Sequence, residues 1–201
     1  MHITWHGLSC IKIQSGEVQV LINPYQDSVG LNMPKLKVNV VATTDLNNDQ
    51  TNNLDRLQGD PMKITGPGEY EVQGIFFYGI PNTGGRTMFV IEAEGIKVGH
   101  PGVTVKELSY KELELFEGVD VLLLPLTGED SKACSQIISQ VEPRVIIPIQ
   151  FKTPKVKEQL DTIDAFAKEM GVKDIGGEKK VILKKKDLPV EETQIQVLSP
   201  I

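Results

Sequence analysis

Val38-Asn39-Val40-Val41-Ala42-Thr43-Thr44-Asp45-Leu46-Asn47-Asn48-Asp49-Gln50-Thr51-Asn52-Asn53 is the stretch on which the reading of this chain turns. A short apolar run, a buried strand by its pattern, gives way abruptly to a long polar loop. Loops at strand ends are where folds place chemistry. This one has the position and length of an active-site loop, yet it holds neither His nor Cys. Its only ionisable side chains are Asp45 and Asp49, set among amides and hydroxyls.

On either side of the loop the first half reads as strands. Ile3-Thr4-Trp5, Cys10 to Ile13 and Val18 to Ile22 are short apolar or alternating runs punctuated by Gly7 and Ser15-Gly16. Asn23-Pro24 ends the third, because proline cannot donate to a ladder. Beyond the loop come Met62 to Thr65, Ile75 to Ile80, Thr87 to Ile91 and Ile96 to Gly99, with turns at Gly66-Pro67-Gly68, Gly84-Gly85 and Glu94-Gly95.

The second half changes rhythm. Tyr110 to Phe116 has helical spacing, and Val119 to Leu126 is a nearly continuous apolar run, as in a strand buried on both faces. Ser131 to Val141 sets Cys134, Ile137, Ile138 and Val141 on one helical face before Pro143. Val145 to Ile149 is a further buried strand. Thr153-Pro154 offers a cap and a first-turn proline, so a helix is expected from there through the stripe Val156, Leu160, Ile163, Ala167 and Met170 to a stop at Gly171. Val181 to Leu183 and Thr193 to Leu198 are late strands. Strand meanders followed by strand–helix alternation imply an α/β fold of two sheets with helices outside, in a single domain over residues 1–201.

The net charge is -6, which disfavours nucleic-acid partners. There is no signal-peptide pattern at Met1-His2-Ile3-Thr4-Trp5 and no apolar run long enough to cross a bilayer, so no membrane role and a cytoplasmic setting are expected. The two cysteines, Cys10 and Cys134, sit in apolar contexts and read as buried free thiols.

Several segments together resemble the metallo-β-lactamase-fold hydrolases of the UlaG-like type. Ile3-Thr4-Trp5-His6-Gly7-Leu8-Ser9-Cys10 is similar to that family's opening I-T-W-x-G-H-S-C, and Leu21-Ile22-Asn23-Pro24-Tyr25 to its L-I-D-P-F. Val40 to Asn53 stands where the family has T-H-x-H-x-D-H. Gly66-Pro67-Gly68-Glu69-Tyr70-Glu71-Val72, Val119 to Pro125, and Ile147-Pro148-Ile149-Gln150-Phe151-Lys152-Thr153 match three further segments in the family's order, up to about residue 153. The resemblance implies a four-layer αββα sandwich of two mixed sheets, with a site at the edge between the sheets and zinc held by several His and an Asp. Such a metal generates hydroxide by lowering the pKa of its bound water to about 7.

Set against that motif, the ligand positions have changed type. Thr44 and Leu46 fall at the first two His slots, and Asp49-Gln50 is the counterpart of the Asp-His pair. The middle His, expected after Ile80-Pro81, is replaced by Asn82-Thr83-Gly84, the bridging Asp falls on Val103, and the last His falls on Gln150. The chain holds three histidines, at positions 2, 6 and 100, too few to rebuild the set elsewhere. His6 reads as a structural imidazole hydrogen-bonded at a strand end; His100 is likewise structural, and His2 has no role.

The residues leave three functional expectations open. The leading one is a non-catalytic member without metal or cofactor, retained for binding or assembly, with a homo-oligomer, a protein or a small molecule as partner. The second is a metal-dependent hydrolase of phosphodiester, lactone or similar substrates with an oxygen-rich site of Asp45, Asp49 and Glu69, the ligand type that hard cations take. Against it, Asx-rich loops usually form turns, and Glu69 and Glu71 fit a solvated hairpin face. The third is a sensor of a small ligand or anion using the vacated cleft, lined by His6, Asn48, His100, Gln150 and Lys152. Lys179-Lys180 and Lys184-Lys185-Lys186 flank a short strand beside Glu178 and Asp187; they either meet an anionic partner or block edge pairing.

Overall fold

A computed structural model describes residues 1–201 except 83–84, 105–106, 127–130, 173–174 and 176. In chain order the strands are β1 (His2–Trp5), β2 (Ile11–Ser15), β3 (Val18–Ile22), β4 (Val40–Ala42), β5 (Met62–Ile64), β6 (Gly68–Val72), β7 (Ile75–Pro81), β8 (Thr87–Ala93) and β9 (Ile96–His100). There follow α1 (Tyr110–Phe116), β10 (Val121–Pro125), α2 (Ser131–Val141), β11 (Val145–Ile149), α3 (Ile163–Glu169), β12 (Val181–Ile182) and β13 (Gln194–Ile195).

They form an α/β sandwich built on two mixed sheets. The first has the order β12-β1-β2-β3-β4-β5 and the second β13-β11-β10-β9-β8-β7-β6. In each sheet a meander of antiparallel hairpins passes into parallel strands: β3, β4 and β5 in the first, β9, β10, β11 and β13 in the second. The period-two pattern decides which side chains enter the core. Ile3 and Trp5 of β1 and Val20 and Ile22 of β3 meet Phe77, Phe89 and Ile91 between the sheets. Strands β10 and β11 are buried along their whole length, as their continuous apolar runs require.

Helix α1 packs beside β7 and against α2, and α2 is tied to α3 by Ser135 Oγ donating to Glu169 at 2.8 Å. A capping box at Ser109 and Glu112 opens α1. The outer face of the first sheet carries a different cover. Leu21 points there, into a second cluster with Leu8, Tyr25, Val29, Met33 and Val156, formed by irregular chain and a short 3-10 turn at Asp27–Val29.

That cover corrects one expectation. The helix foreseen from Thr153 begins only at Ile163, with Thr162 at its N-cap. The preceding segment is coil, because its apolar residues serve the second cluster and not a helical stripe: Val156 is buried there and Leu160 packs against it. Lys155 has φ +73°, Lys157 N donates to Val29 O at 3.0 Å, and Gly30 passes so near that a Cβ on it would lie 2.2 Å from Lys155 O. The late strand expected over Thr193 to Leu198 is likewise limited to β13, after which the chain bonds to Glu178 and leaves the sheet. Both cysteines are buried, and neither is in a disulfide among the described residues. Among the described residues no helix is long and apolar enough to cross a membrane.

Candidate functional site

The polar loop leaves the end of β4 at the edge where the two sheets meet. Four pieces of chain converge on it: the Gly7–Ser9 turn after β1, Asn23 after β3, the β7–β8 hairpin, and Gln150 after β11. Asn23 and Gln150 are among the few non-glycine residues with positive φ, at 52° and 58°, and Leu8 is a third at 49°. Such backbone costs energy and persists where surrounding contacts enforce it.

The contacts form one connected network. Asn23, fully buried, accepts Thr44 N on Oδ1 at 2.8 Å and donates through Nδ2 to Ser9 Oγ at 3.2 Å. Leu8 O accepts both Gln150 N at 2.9 Å and the Trp5 indole N–H at 2.8 Å. The Gln150 side chain reaches across the sheet edge and donates to Gln50 Oε1 at 2.5 Å. Thr87 N donates to Thr44 O at 2.8 Å, and Arg86 Nε pairs with Asp45 Oδ2 at 3.1 Å, so the β7–β8 hairpin is joined to the loop twice. Among the described residues two side-chain oxygens at this edge, Thr44 Oγ1 and Gln150 Oε1, are buried with no hydrogen-bond partner.

The loop itself is tied into turns. Thr43 Oγ1 donates to Thr51 O at 2.7 Å, Asp45 Oδ1 accepts Asn47 N at 2.9 Å, and Asn48 Oδ1 accepts Gln50 N at 3.0 Å. Thr51 Oγ1 also donates to Asp45 O. Asp49 is exposed, and its Oδ2 accepts Ser28 Oγ at 2.7 Å. Leu46 is 47% exposed and faces solvent, whereas Val103 is buried. Glu69 lies exposed on β6, the last strand of the second sheet, and among the described residues no hydrogen bond or ion pair joins it to Asp45 or Asp49. Thr83 and Gly84, in the segment that stands for the middle His, lie outside the described residues.

The residues expected to line a cleft are divided. His100 is fully buried; Gly102 N donates to its Nδ1 at 3.1 Å, so Nε2 carries the proton and donates to Ser9 O at 3.1 Å. Both ring nitrogens are thereby committed. Lys152 is committed elsewhere too: its ammonium donates to Val156 O at 2.5 Å and Glu158 O at 2.9 Å, holding the coil that precedes α3. His6 stands at the end of β1 with the Ile201 backbone beside its ring. It is buried, and among the described residues neither ring nitrogen has a partner in strict hydrogen-bond geometry.

Burial lowers the pKa of both imidazoles to about 4, with the Lys12 charge adding to the effect at His6 and the Ser9 carbonyl opposing it at His100. The unfolded chain therefore binds more protons than the folded one between about 4 and 6.5, so stability is full above 6.5 and is lost as pH falls through that window. Each imidazole contributes a slope of about 1.4 kcal/mol per pH unit. Urea unfolding across this range is expected to show the decline, reduced by about half in His100→Asn on the same arithmetic. A flat profile would mean that the rings are protonated, or in water, in the folded protein.

Sequence reading alone missed Ser9, Asn23, Arg86 and Thr87 as members of this edge. Asn23 had a signal, since it stands where the resembled motif carries Asp. Arg86 had none, because its partner lies 41 positions away.

Comparisons with known proteins agree with the geometry. Residues 2–150 match the model of a family described as the β-lactamase superfamily domain. A protein of Lysinibacillus sphaericus named as a UPF0173 metal-dependent hydrolase is 23% identical over 76% of this chain and 86% of its own length. The crystal structure of a Thermotoga maritima protein assigned as a Zn-dependent hydrolase of the metallo-β-lactamase superfamily superposes with a TM-score of 0.80 at 27% identity, covering 99% of this chain and 100% of the other. Igni18, a metallo hydrolase from Ignicoccus hospitalis, gives a TM-score of 0.59 at 17% identity over 99% and 95% of the two chains.

Proposed function

The chain belongs to the β-lactamase superfamily domain family, and from that premise we propose that it is a non-catalytic member whose metal ligands have been lost and whose scaffold serves binding or assembly. The observation that carries this reading is the Gln50–Gln150 hydrogen bond. Two amides hold one another across the sheet edge at positions where the resembled motif places two imidazoles facing an ion. Carboxamide oxygens are poor partners for zinc, which takes thiolate, imidazole and carboxylate.

The other donors support the same reading. Among the described residues no three His, Cys, Asp or Glu side chains lie together as a metal group. His100 has both nitrogens in use, Asp45 is held by Arg86 and Asn47, and Asp49 is bonded to Ser28. The donor set therefore does not fit the family's ion. The neutral amide of Asn23, where the resembled motif has a carboxylate, suits the same change. A fully buried carboxylate needs cationic compensation, and an amide does not. The hydrogen bonds Thr87–Thr44, Arg86–Asp45 and Gln150–Gln50 then take over the mechanical task of joining the two sheets at this edge. No comparable observation favours the oxygen-rich hydrolase, since Asp45, Asp49 and Glu69 do not converge.

The test is elemental analysis of the full chain produced in zinc-supplemented medium. Metal well below one equivalent is expected, together with a melting temperature that neither a chelator nor added zinc moves. One tightly held ion per chain, whose removal lowers the melting temperature, would overturn the reading and return the protein to its hydrolase relatives.

A further inference from the structure

We propose that copies of this chain associate head to tail, the basic edge strand β12 of one copy seated against the acidic outer face of the second sheet of the next. The ladder register defines the acidic face. Glu71 lies opposite Phe76, Phe76 opposite Glu92, and Glu92 opposite Lys97; the next row on the same face is Glu69, Tyr78, Val90. Phe76 is 43% exposed between two glutamates. Helix α1 roofs the neighbouring rows and leaves a groove of about 480 Å³ lined by Tyr78, Val90, Glu92, Glu114, Leu115 and Glu117. Among the described residues none of Glu69, Glu92, Glu114 and Glu117 is in an ion pair. Lys97, the cation lining this groove, places its ammonium 3.5 Å from the Glu117 carbonyl.

The basic edge is its counterpart in both shape and charge. Strand β12 ends the first sheet, pairing with β1 on one side, and among the described residues no strand pairs with its other side, where Glu178 and Asp187 lie nearby. Val181 and Leu183 are buried, while Ile182 is 55% exposed between exposed Lys180 and Lys184, which share its face. Among the described residues Lys179, Lys180, Lys184 and Lys186 have no acidic partner, whereas Lys185 is bound by Asp120. An apolar side chain flanked by lysines without acidic partners thus faces a groove in which Tyr78, Val90 and Leu115 are flanked by the carboxylates of Glu92, Glu114 and Glu117.

A lysine-bearing edge ordinarily resists pairing with other strands. Opposite an acidic face the same charges select a partner. With a net charge of -6, two copies repel except where opposite patches meet. The two patches are different surfaces, so the contact is heterologous: it closes into a ring or extends into a filament according to the rotation between copies. The proposal supplies the partner for the assembly role and rests on that reading, but it is measured separately from metal content.

Mass by light scattering and sedimentation tests it. Wild type is expected to gain mass with concentration and to lose that gain in high salt, as screening predicts. K180E/K184E and E114K/E117K, which change exposed side chains, each remain monomeric alone with melting temperatures near wild type. An equimolar mixture of the two regains mass, because each restores opposite charge to the other. A wild type that is monomeric at every concentration overturns the proposal, as does a closed dimer indifferent to both variants, or a mixture that stays monomeric. Capture of a lysine-rich peptide on the acidic face of a monomeric wild type would also overturn it, and would assign that face to a foreign cationic partner. The salt dependence of the wild type decides the matter even where a variant folds poorly.

Discussion

Trp5→Ala is expected to lower the unfolding free energy by about 3–5 kcal/mol, the range for emptying a large buried aromatic site. The side chain is fully buried between the sheets, and its ring centre lies 4.6 Å from that of Phe151 at an angle of 43°. Its indole N–H donates to Leu8 O, the same carbonyl that receives Gln150 N. The substitution therefore opens a cavity and also loosens a point where two left-handed residues, Leu8 and Gln150, are held in place. Urea unfolding measures the loss. A change within about 0.5 kcal/mol, typical of surface substitutions, would mean that Trp5 does not anchor this edge.

Asn23→Ala is expected to remove about 2–4 kcal/mol, from two sources. Thr44 N, buried, loses its acceptor, and an unsatisfied buried donor costs about 1–3 kcal/mol. Alanine must also adopt φ 52°, a conformation that asparagine tolerates better, at a further cost of about 1 kcal/mol. Asn23→Gly separates the two sources, because glycine accepts the backbone but not the hydrogen bond. A glycine variant as stable as wild type would show that the side chain carries nothing. If both variants are destabilised, the Asn23 side chain is holding this edge through Thr44 N and Ser9 Oγ.

The two sources of legibility in this chain behave differently. The hairpins β1–β2–β3 and β7–β8–β9 are plain in sequence because alternation, glycine turns and Pro24 act locally. The acidic hairpin beside Gly66-Pro67-Gly68 was visible for the same reason, and it forms β6–β7 with Glu69 and Glu71 exposed. The segment from Thr153 misled because its apolar spacing also suits a coil wrapped over the first sheet, and a backbone contact between Gly30 and Lys155 settles which of the two is built. At the site, Thr44, Gln50 and Gln150 could be named one by one from a motif. Lys152 was named with them, but its ammonium holds coil carbonyls on its own loop.

By itself the sequence determined the fold family, through ordered motifs spread along most of the chain, and it determined which residue types stand where the resembled motif has its ligands. Both are properties of residue identity in order, and need no coordinates. Only the tertiary structure decided what those residues do: Gln50 and Gln150 meet although 100 positions separate them, and Arg86 crosses from one sheet to the loop of the other. Hydrogen bonds and ion pairs act over a few ångströms in space, and distance along the chain carries no trace of them until the two sheets close.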